Sequence, residues 1–373
     1  MRIGVPREIK VREYRVGMVP GAVKELTMRG HDVIVESGAG AGIGFSDDDY
    51  RAAGARVAGA AKQVYDDAEL VVKVKEPQPD ERKWLRTDQA LFTYLHLAPD
   101  PAQTEDLLRS GAVCIAYETV TDRHGGLPLL APMSEVAGRL AVQVGAWGLE
   151  KMSGGSGILL GGIPGVEPGK VLIVGGGTVG FNACQMAVGL GARVVVIDRS
   201  ASALRRLDAH FETRIATVYS STDAIDRHLP DTDLVIGAVL VPGAAAPKLV
   251  RRDQLGLLKP GSVLVDVAID QGGCFESSRP TTHDEPTFVD KGIVHYCVTN
   301  MPGVVPRTST FALNNATLPF VVAMADKGIM NALRDDVHLL DGLNIFRGML
   351  TEKPVAEAQR RKYVPAADAI GRA

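Results

Sequence analysis

The chain is poor in cysteine, with four in 373 residues, and none of the four (Cys114, Cys184, Cys274, Cys297) forms a C-x-x-C pair. That scatter argues against a disulfide framework or a structural zinc site and fits thiols kept reduced. No surplus of either charge exists: 41 Lys and Arg stand against 44 Asp and Glu, a net −3. A nucleic-acid binder, or a protein docking on an anionic membrane, would carry a basic footprint that this chain lacks. Nowhere do about 18 apolar residues run together, so no membrane span is expected. The opening Met-Arg-Ile-Gly-Val-Pro turns charged at Arg7, Glu8 and Lys10 without a signal-peptide core, and the expectation is a cytoplasmic protein. No His, Cys and carboxylate cluster has ligand spacing, so no metal is assigned. Internal repeats and low-complexity tracts are absent as well.

What is present is ordinary globular material: 46 % hydrophobic and 23 % charged residues, in a length that suits two domains. In the first third, short β-branched runs (Arg2–Val5, Asp32–Glu36, Leu70–Lys75, Ala90–Leu95, Ala112–Thr119) alternate with helical stretches such as Gly21–Arg29, closed by Gly30. Strand, helix, strand with short connectors predicts a parallel α/β sheet. Pro132–Met152 reads as one long helix with Ser134 as N-cap, followed by a Gly- and Ser-rich loop over Ser153–Pro168. A second α/β run follows in Lys170–Val174, Arg193–Asp198, Thr213–Tyr219, Leu234–Gly237, Ser262–Val267 and Val294–Val298, then a helix over Thr308–Lys327. The tail beyond Arg334 mixes charge with short apolar patches. The expected architecture is therefore α/β: two Rossmann-like domains with parallel sheets, separated by a cleft and joined by long helices. Residues 1–132 plus 302–373 would form one domain and 133–301 the other. Ligands of such sheets bind beyond the carboxyl ends of the strands.

The sharpest motif follows the Lys170–Val174 strand. Gly175-Gly176-Gly177-Thr178-Val179-Gly180 leads into a helical pattern that ends at Gly191, which is G-x-G-x-x-G between a strand and a helix. Gly175 allows the tight turn, Gly177 lets backbone approach a pyrophosphate, and Gly180 lets helix and strand pack closely. The helix N-terminus would face the phosphates. The next strand ends in Asp198, whose carboxylate suits a ribose diol and repels a 2′-phosphate, which favours NAD over NADP; Arg199 keeps NADP open. An S-adenosylmethionine site, or a glycine-rich turn without a ligand, are the rival readings.

Polar side chains also collect where apolar strands stop. Alternation puts Lys73 and Lys75 on one face of an internal strand, where two ammonium groups are costly unless something anionic meets them. Lys75 reads equally as a ligand contact or a solvated strand end. His96 reads either as a buried structural histidine or, before Pro99 at a strand end, as a group exchanging protons near neutral pH. Arg15 has the fork to clamp a carboxylate, although a surface ion pair is the plainer reading. Asp270, followed by Gly272 and Gly273, reads as a turn cap or a group facing a ligand.

Many short motifs in order then carry a resemblance that covers nearly the whole chain. Gly4-Val5-Pro6-Arg7-Glu8-Ile9-Lys10, Glu13-Tyr14-Arg15-Val16, Gly30-His31-Asp32-Val33, Glu36-Ser37-Gly38-Ala39-Gly40, Gly44-Phe45-Ser46-Asp47, Lys73-Val74-Lys75-Glu76-Pro77, Tyr94-Leu95-His96-Leu97-Ala98 and Asn300-Met301-Pro302-Gly303 resemble the alanine dehydrogenase and transhydrogenase α-subunit family. Length and the lack of membrane spans resemble its alanine dehydrogenase branch most. The resemblance implies NAD-dependent, reversible oxidative deamination of L-alanine to pyruvate and ammonium, in a homohexamer without nucleic-acid or membrane partners. It implies that Arg15 and Lys75 bind substrate and that His96 and Asp270 are the acid/base pair. Around the cofactor it implies Ser134, Thr178, Val179, Asp198, Ser220, Val239, Leu240, Val267, Ala268, Ile269, Asp270, Arg279, Val298, Thr299, Asn300 and Met301, beside the fingerprint glycines. One departure stands out: Ala203 occupies a position where family members often place a basic residue near the adenosine ribose, and Arg199, Arg205 and Arg206 are candidates to replace it. A transhydrogenase α-like NAD-binding domain and a dehydrogenase of the saccharopine type are the alternatives.

Overall fold

A computed structural model describes residues 1–239 and 246–371. They divide into two compact units: Met1–Met133 with the chain from Val305 onward, and Ser134–Val304. In the first unit, β1 (Arg2–Val5), β2 (Asp32–Glu36), β3 (Arg56–Ala58), β4 (Leu70–Val72), β5 (Ala90–Thr93) and β6 (Val113–Ala116) pair in parallel in the order β3-β2-β1-β4-β5-β6. Their near-continuous Val, Ile, Leu and Ala composition reflects burial on both faces, the usual condition of a parallel sheet. The order reverses between β1 and β4, so the loops after these two strands open a crevice at their carboxyl ends.

The second unit repeats this plan. Its strands are β7 (Lys170–Val174), β8 (Arg193–Asp198), β9 (Ile215–Tyr219), β10 (Leu234–Gly237), β11 (Val263–Asp266), β12 (Thr287–Asp290) and β13 (Ile293–Tyr296). The parallel core runs β9-β8-β7-β10-β11-β13, again reversing at its centre, between β7 and β10. Leu172, Val174, Ile197, Val235, Leu264 and Phe275 belong to the apolar core on this sheet.

Three strands correct the expectation of wholly parallel sheets. β12 pairs antiparallel with β13, and the tail supplies β14 (Leu343–Phe346), antiparallel to β6, and β15 (Met349–Leu350), antiparallel to β14. Both sheets are thus mixed but mostly parallel. The tail has too few residues per element to give a clear periodicity, and its strands form because β6 offers an edge to cover. Other differences are local. The expected runs past β4 and β5 stop at Val72 and Thr93, because the backbone turns into loops before the polar residues that follow. The long helix spans Ala131–Gly148, so Ser134 lies inside its first turns rather than capping it. Beyond Gly148 a short 3-10 turn over Lys151–Ser153 replaces the helix.

Candidate functional site

The crevice of the first unit is built by its β1 and β4 loops. Gly17 brings them together: a Cβ there would stand 2.4 Å from the Val72 carbonyl oxygen at the end of β4, so only glycine allows the approach. Two residues earlier, Arg15 is buried, with 2 % of its surface exposed, which corrects the surface-ion-pair reading. Its Nε donates to Glu13 Oε1 at 2.7 Å and its Nη2 to Glu13 Oε2 at 2.6 Å. Nη1 lies 3.1 Å from Met133 Sδ. Burial alone would raise the Glu13 pKa, but the hydrogen bonds and charge of Arg15 outweigh it and hold the carboxyl at about 2.

Lys75, in the β4 loop, is half-buried, and its pKa is lowered by burial and then by the neighbouring Arg15 cation. Glu13 keeps the Arg15 pKa raised, so the unfavourable charge falls on Lys75, and an anion bound beside this strand-end crevice would relieve both its desolvation and its repulsion from Arg15. Lys73 does not share this role. It is fully buried and its ammonium meets Glu81 at 2.8 Å and Glu8 at 3.3 Å, so protein carboxylates supply the anions its burial demands. Glu8 Oε1 also accepts the N–H of Val74 at 2.7 Å and of Lys75 at 3.3 Å, which fixes the backbone that carries Lys75.

His96 sits on the loop after β5, not within a strand. Its φ of 48° is left-handed, a conformation that costs a non-glycine residue about 1–2 kcal/mol. Glu118 holds it there: Oε1 accepts the His96 N–H at 2.6 Å and the Leu95 N–H at 3.1 Å, and lies 3.7 Å from His96 Nδ1. The imidazole is about half exposed (48 %) and stacks on Tyr94, with ring centroids 5.7 Å apart and planes 4° from parallel. The Tyr94 hydroxyl donates to the Leu129 carbonyl at 2.6 Å, and burial pushes its pKa up. His96 is thus neither a core histidine nor a strand residue, but an accessible imidazole on a fixed backbone.

In the second unit the fingerprint lies at the central reversal, between β7 and the helix Thr178–Gly189. A Cβ on Gly180 would stand 1.8 Å from the Gly175 carbonyl oxygen, so the first turn of the helix can pass the fingerprint loop only with a glycine at this position. A Cβ on Gly177 would meet nothing within 4 Å, leaving an open cradle at the helix start, where Thr178 and Val179 follow. The Asp198 carboxylate, at the end of β8, accepts the N–H of Gly176 at 2.5 Å and of Ser200 at 2.6 Å. A carboxylate offers about four acceptor positions, so these two bonds leave capacity for a diol. Ser220 follows β9 and donates its N–H to the Asp198 carbonyl at 3.0 Å. Val239 follows β10 and lines Gly175, whereas Leu240 lies outside the described residues. Ser134 stands one helical turn before Gly138, where a Cβ would be 2.2 Å from the Val179 carbonyl oxygen.

Val267, Ala268, Ile269 and Asp270 follow β11, and Val298, Thr299, Asn300 and Met301 follow β13, at the same end of the sheet. The exposed Asp270 sits in a 3-10 turn over Ile269–Gln271 and accepts the Asn300 N–H at 3.3 Å, which ties the two loops. The Arg279 guanidinium lies over the Phe288 ring, 4.3 Å from its centroid. Arg206 donates to the Gly176 carbonyl at 2.9 Å, while Ala203 only donates its backbone N–H to the Ser200 hydroxyl that caps the helix Ala201–Phe211. Glu118 and Asp266, which organise these loops, stood in no motif, and Glu13 was quoted only within Glu13-Tyr14-Arg15-Val16 without a role of its own. A carboxylate two residues from Arg15 was the one legible hint.

Family models match both parts of the chain: "Alanine dehydrogenase/PNT, N-terminal domain" over residues 4–137 and "Alanine dehydrogenase/PNT, C-terminal domain" over residues 141–353. An alanine dehydrogenase of Halomonas elongata is 61 % identical over 371 residues, covering all of both chains. Those of Mycobacterium tuberculosis and Bacillus subtilis are 54 % and 53 % identical, each over at least 95 % of both chains. A solved L-alanine dehydrogenase superposes with a TM-score of 0.94 at 51 % identity, covering 96 % of this chain and 99 % of that one. A transhydrogenase of Sinorhizobium meliloti, at 23 % identity and a TM-score of 0.82 over 94 % of this chain and all of that one, shares the fold.

Proposed function

The chain belongs to the alanine dehydrogenase/PNT family, and from that premise we propose that it catalyses the reversible oxidative deamination of L-alanine to pyruvate and ammonium with NAD as its nucleotide. It is a pyridine-nucleotide-dependent oxidoreductase of CH–NH2 donors, as its relatives' names imply. The observation that carries the substrate reading is the buried, Glu13-held Arg15 guanidinium beside Lys75 in the first unit's crevice, where burial and the Arg15 charge lower the Lys75 pKa.

The residues of the second unit fit a dinucleotide: an open cradle at Gly177, a helix N-terminus at Thr178 and Val179, and an acceptor at Asp198. Gly175, Gly180, Ser134, Ser220, Val239, Leu240, Val267–Asp270, Arg279 and Val298–Met301 complete the proposed nucleotide site. Asp198 supports NAD over NADP. The alanine at position 203 offers the adenosine ribose no basic group, and we assign that role to Arg206, which is anchored to the fingerprint loop at Gly176. When bound, the nicotinamide supplies the hydride acceptor.

The chain's own groups do the rest. Arg15 meets the substrate carboxylate along its Nη edge, since the Nε edge is engaged with Glu13, and Lys75 closes on the same anion and on the carbonyl oxygen. That grip fixes the orientation of the Cα–H bond, from which much of the rate derives. As the iminium is hydrated, His96 in its neutral form takes a proton from the attacking water, and Lys75 stabilises the charge that develops on the carbinolamine oxygen. Asp270 holds the amine and assists the proton transfer. Homohexameric assembly and cytoplasmic residence are proposed from the family resemblance. No helix among the described residues is long and apolar enough to cross a membrane.

The test follows NADH absorbance with a panel of amino acids, with NADP+ in parallel. L-Alanine with NAD+ should stand out from the panel. Hydride exchange between two nucleotides without any amino-acid-dependent NADH would support the transhydrogenase alternative instead.

A further inference from the structure

The loop that bears Asp270 is gripped from two sides by opposite charges. On one side the fully buried Asp266 carboxylate, at the end of β11, accepts the N–H groups of Ala268 (3.1 Å), Cys274 (2.9 Å) and Phe275 (3.3 Å) and the Ser278 hydroxyl (2.5 Å). On the other, the carbonyls of Gly272 (2.5 Å), Gly273 (2.8 Å) and Phe275 (3.3 Å) converge on the ammonium of Lys248. An ammonium has three donors and no acceptor, so three carbonyls use its full complement. The geometry depends on the two glycines, whose φ values of 86° and 76° turn successive carbonyls toward one point. Backbone bonds lace the same strip, from the Ala246 N–H to the Gln271 carbonyl at 3.0 Å and from the Leu249 N–H to the Cys274 carbonyl at 2.7 Å.

We infer that Lys248 is a positioning residue for Asp270, acting through these three carbonyls to fix the turn that carries the carboxylate. Bonds from a charged donor are roughly twice as strong as neutral ones. Without the cation, three carbonyl dipoles aimed at one point repel each other, and the 3-10 turn over Ile269–Gln271 loses its downstream anchor. Nothing in this arrangement needs Lys248 to touch substrate or nucleotide. The inference rests on the proposed acid/base role of Asp270, and the experiment separates the two.

Steady-state kinetics in both directions, with NADH binding by fluorescence, compare wild type with Lys248→Met, Lys248→Arg and Asp270→Asn. Lys248→Met should lower kcat by about ten-fold or more, since small misplacements of a reacting group cost that much. Its KM for pyruvate should stay near the wild-type value, and its affinity for NADH, which this loop shares, should fall by much less than kcat. Lys248→Arg, which keeps the charge but spreads it over a planar fork, should recover part of kcat. Should Lys248→Met fail to fold, a reduced kcat in Lys248→Arg at wild-type melting temperature supports the inference, and a wild-type kcat there overturns it. Normal kcat in Lys248→Met beside an inactive Asp270→Asn overturns it, as does weakened NADH binding with kcat intact. If Asp270→Asn itself turns over normally, the reading of Asp270 falls and takes the Lys248 inference with it.

Discussion

Arg15 and Glu13 form a buried two-point pair, Nε to Oε1 at 2.7 Å and Nη2 to Oε2 at 2.6 Å, with both side chains at most 2 % exposed. A pair so placed gains little net stability from its own attraction, because both charges lose their water. Breaking it is costly, since the remaining partner stays buried and uncompensated. Its meaning is therefore positional: Glu13 fixes one edge of the guanidinium and aims the other.

Arg15→Met should destabilise the protein by about 3–5 kcal/mol, the usual result of orphaning one member of a buried pair. Adding Glu13→Gln should return most of that stability while leaving substrate binding abolished. Thermal melts and pyruvate KM values, measured on both single variants and the double variant, check the separation.

The pair also sets an acid limb. The Glu13 carboxyl titrates at about 2 when folded, against 4.5 as its ordinary value. A depressed carboxyl contributes stability above its unfolded pKa and loses that contribution as pH falls through the folded one. Stability should thus decline between about pH 4.5 and pH 2, and Glu13→Gln should flatten this part of the profile in denaturant titrations.

Lys75 acts at the opposite end of the scale. Its pKa lies below the ordinary 10.5 because of burial and then Arg15, so the ammonium is lost at a lower pH than for a solvated lysine. Pyruvate KM should be constant below that point and rise with pH beyond it. Lys75→Arg, which does not deprotonate, should remove the alkaline rise even if its turnover is poor.

His96→Ala should lower kcat by about 10²- to 10⁴-fold, the range for losing a general base, with NADH affinity retained. Glu118→Gln preserves an acceptor for the Leu95 and His96 N–H groups and should cost less than Glu118→Ala. Equal losses in the two Glu118 variants would mean that the charge, not the backbone anchor, is what His96 requires.

Two alanine substitutions in one loop should behave oppositely. Gly180→Ala forces a Cβ to within 1.8 Å of a backbone oxygen and should lower the melting temperature. Gly177→Ala points into open space at a φ of −70° that alanine adopts readily. It should melt normally yet bind NADH more weakly, because the methyl group occupies the place proposed for the pyrophosphate.

Much of this was readable from the chain alone, and the reasons are physical. The bounds of β1, β2, β7, β8 and β10 follow from their apolar runs because each is an interior strand buried on both faces. The edge strands β3, β12 and β15, and the tail strand β14 that lies between β6 and β15, were illegible, since they are short and borrow their stability from a neighbour. Lys73 shows the limit of alternation: the strand ends before it, and its partners come from elsewhere, Glu8 from the loop after β1 and Glu81 from the short helix Pro79–Arg82. Asp266, Glu118 and Lys248 were silent for a related reason. They act by collecting backbone groups of loops whose course no periodicity describes.

The most direct trial is steady-state NADH production from L-alanine and NAD+ by the wild-type protein and its Lys75→Met variant, with pyruvate and ammonium assayed alongside. The account expects wild-type NADH to appear in equal amounts with both products and the variant to be nearly inactive while still binding NADH. Undiminished alanine oxidation in the variant, or no alanine-dependent NADH from the wild type, would contradict it.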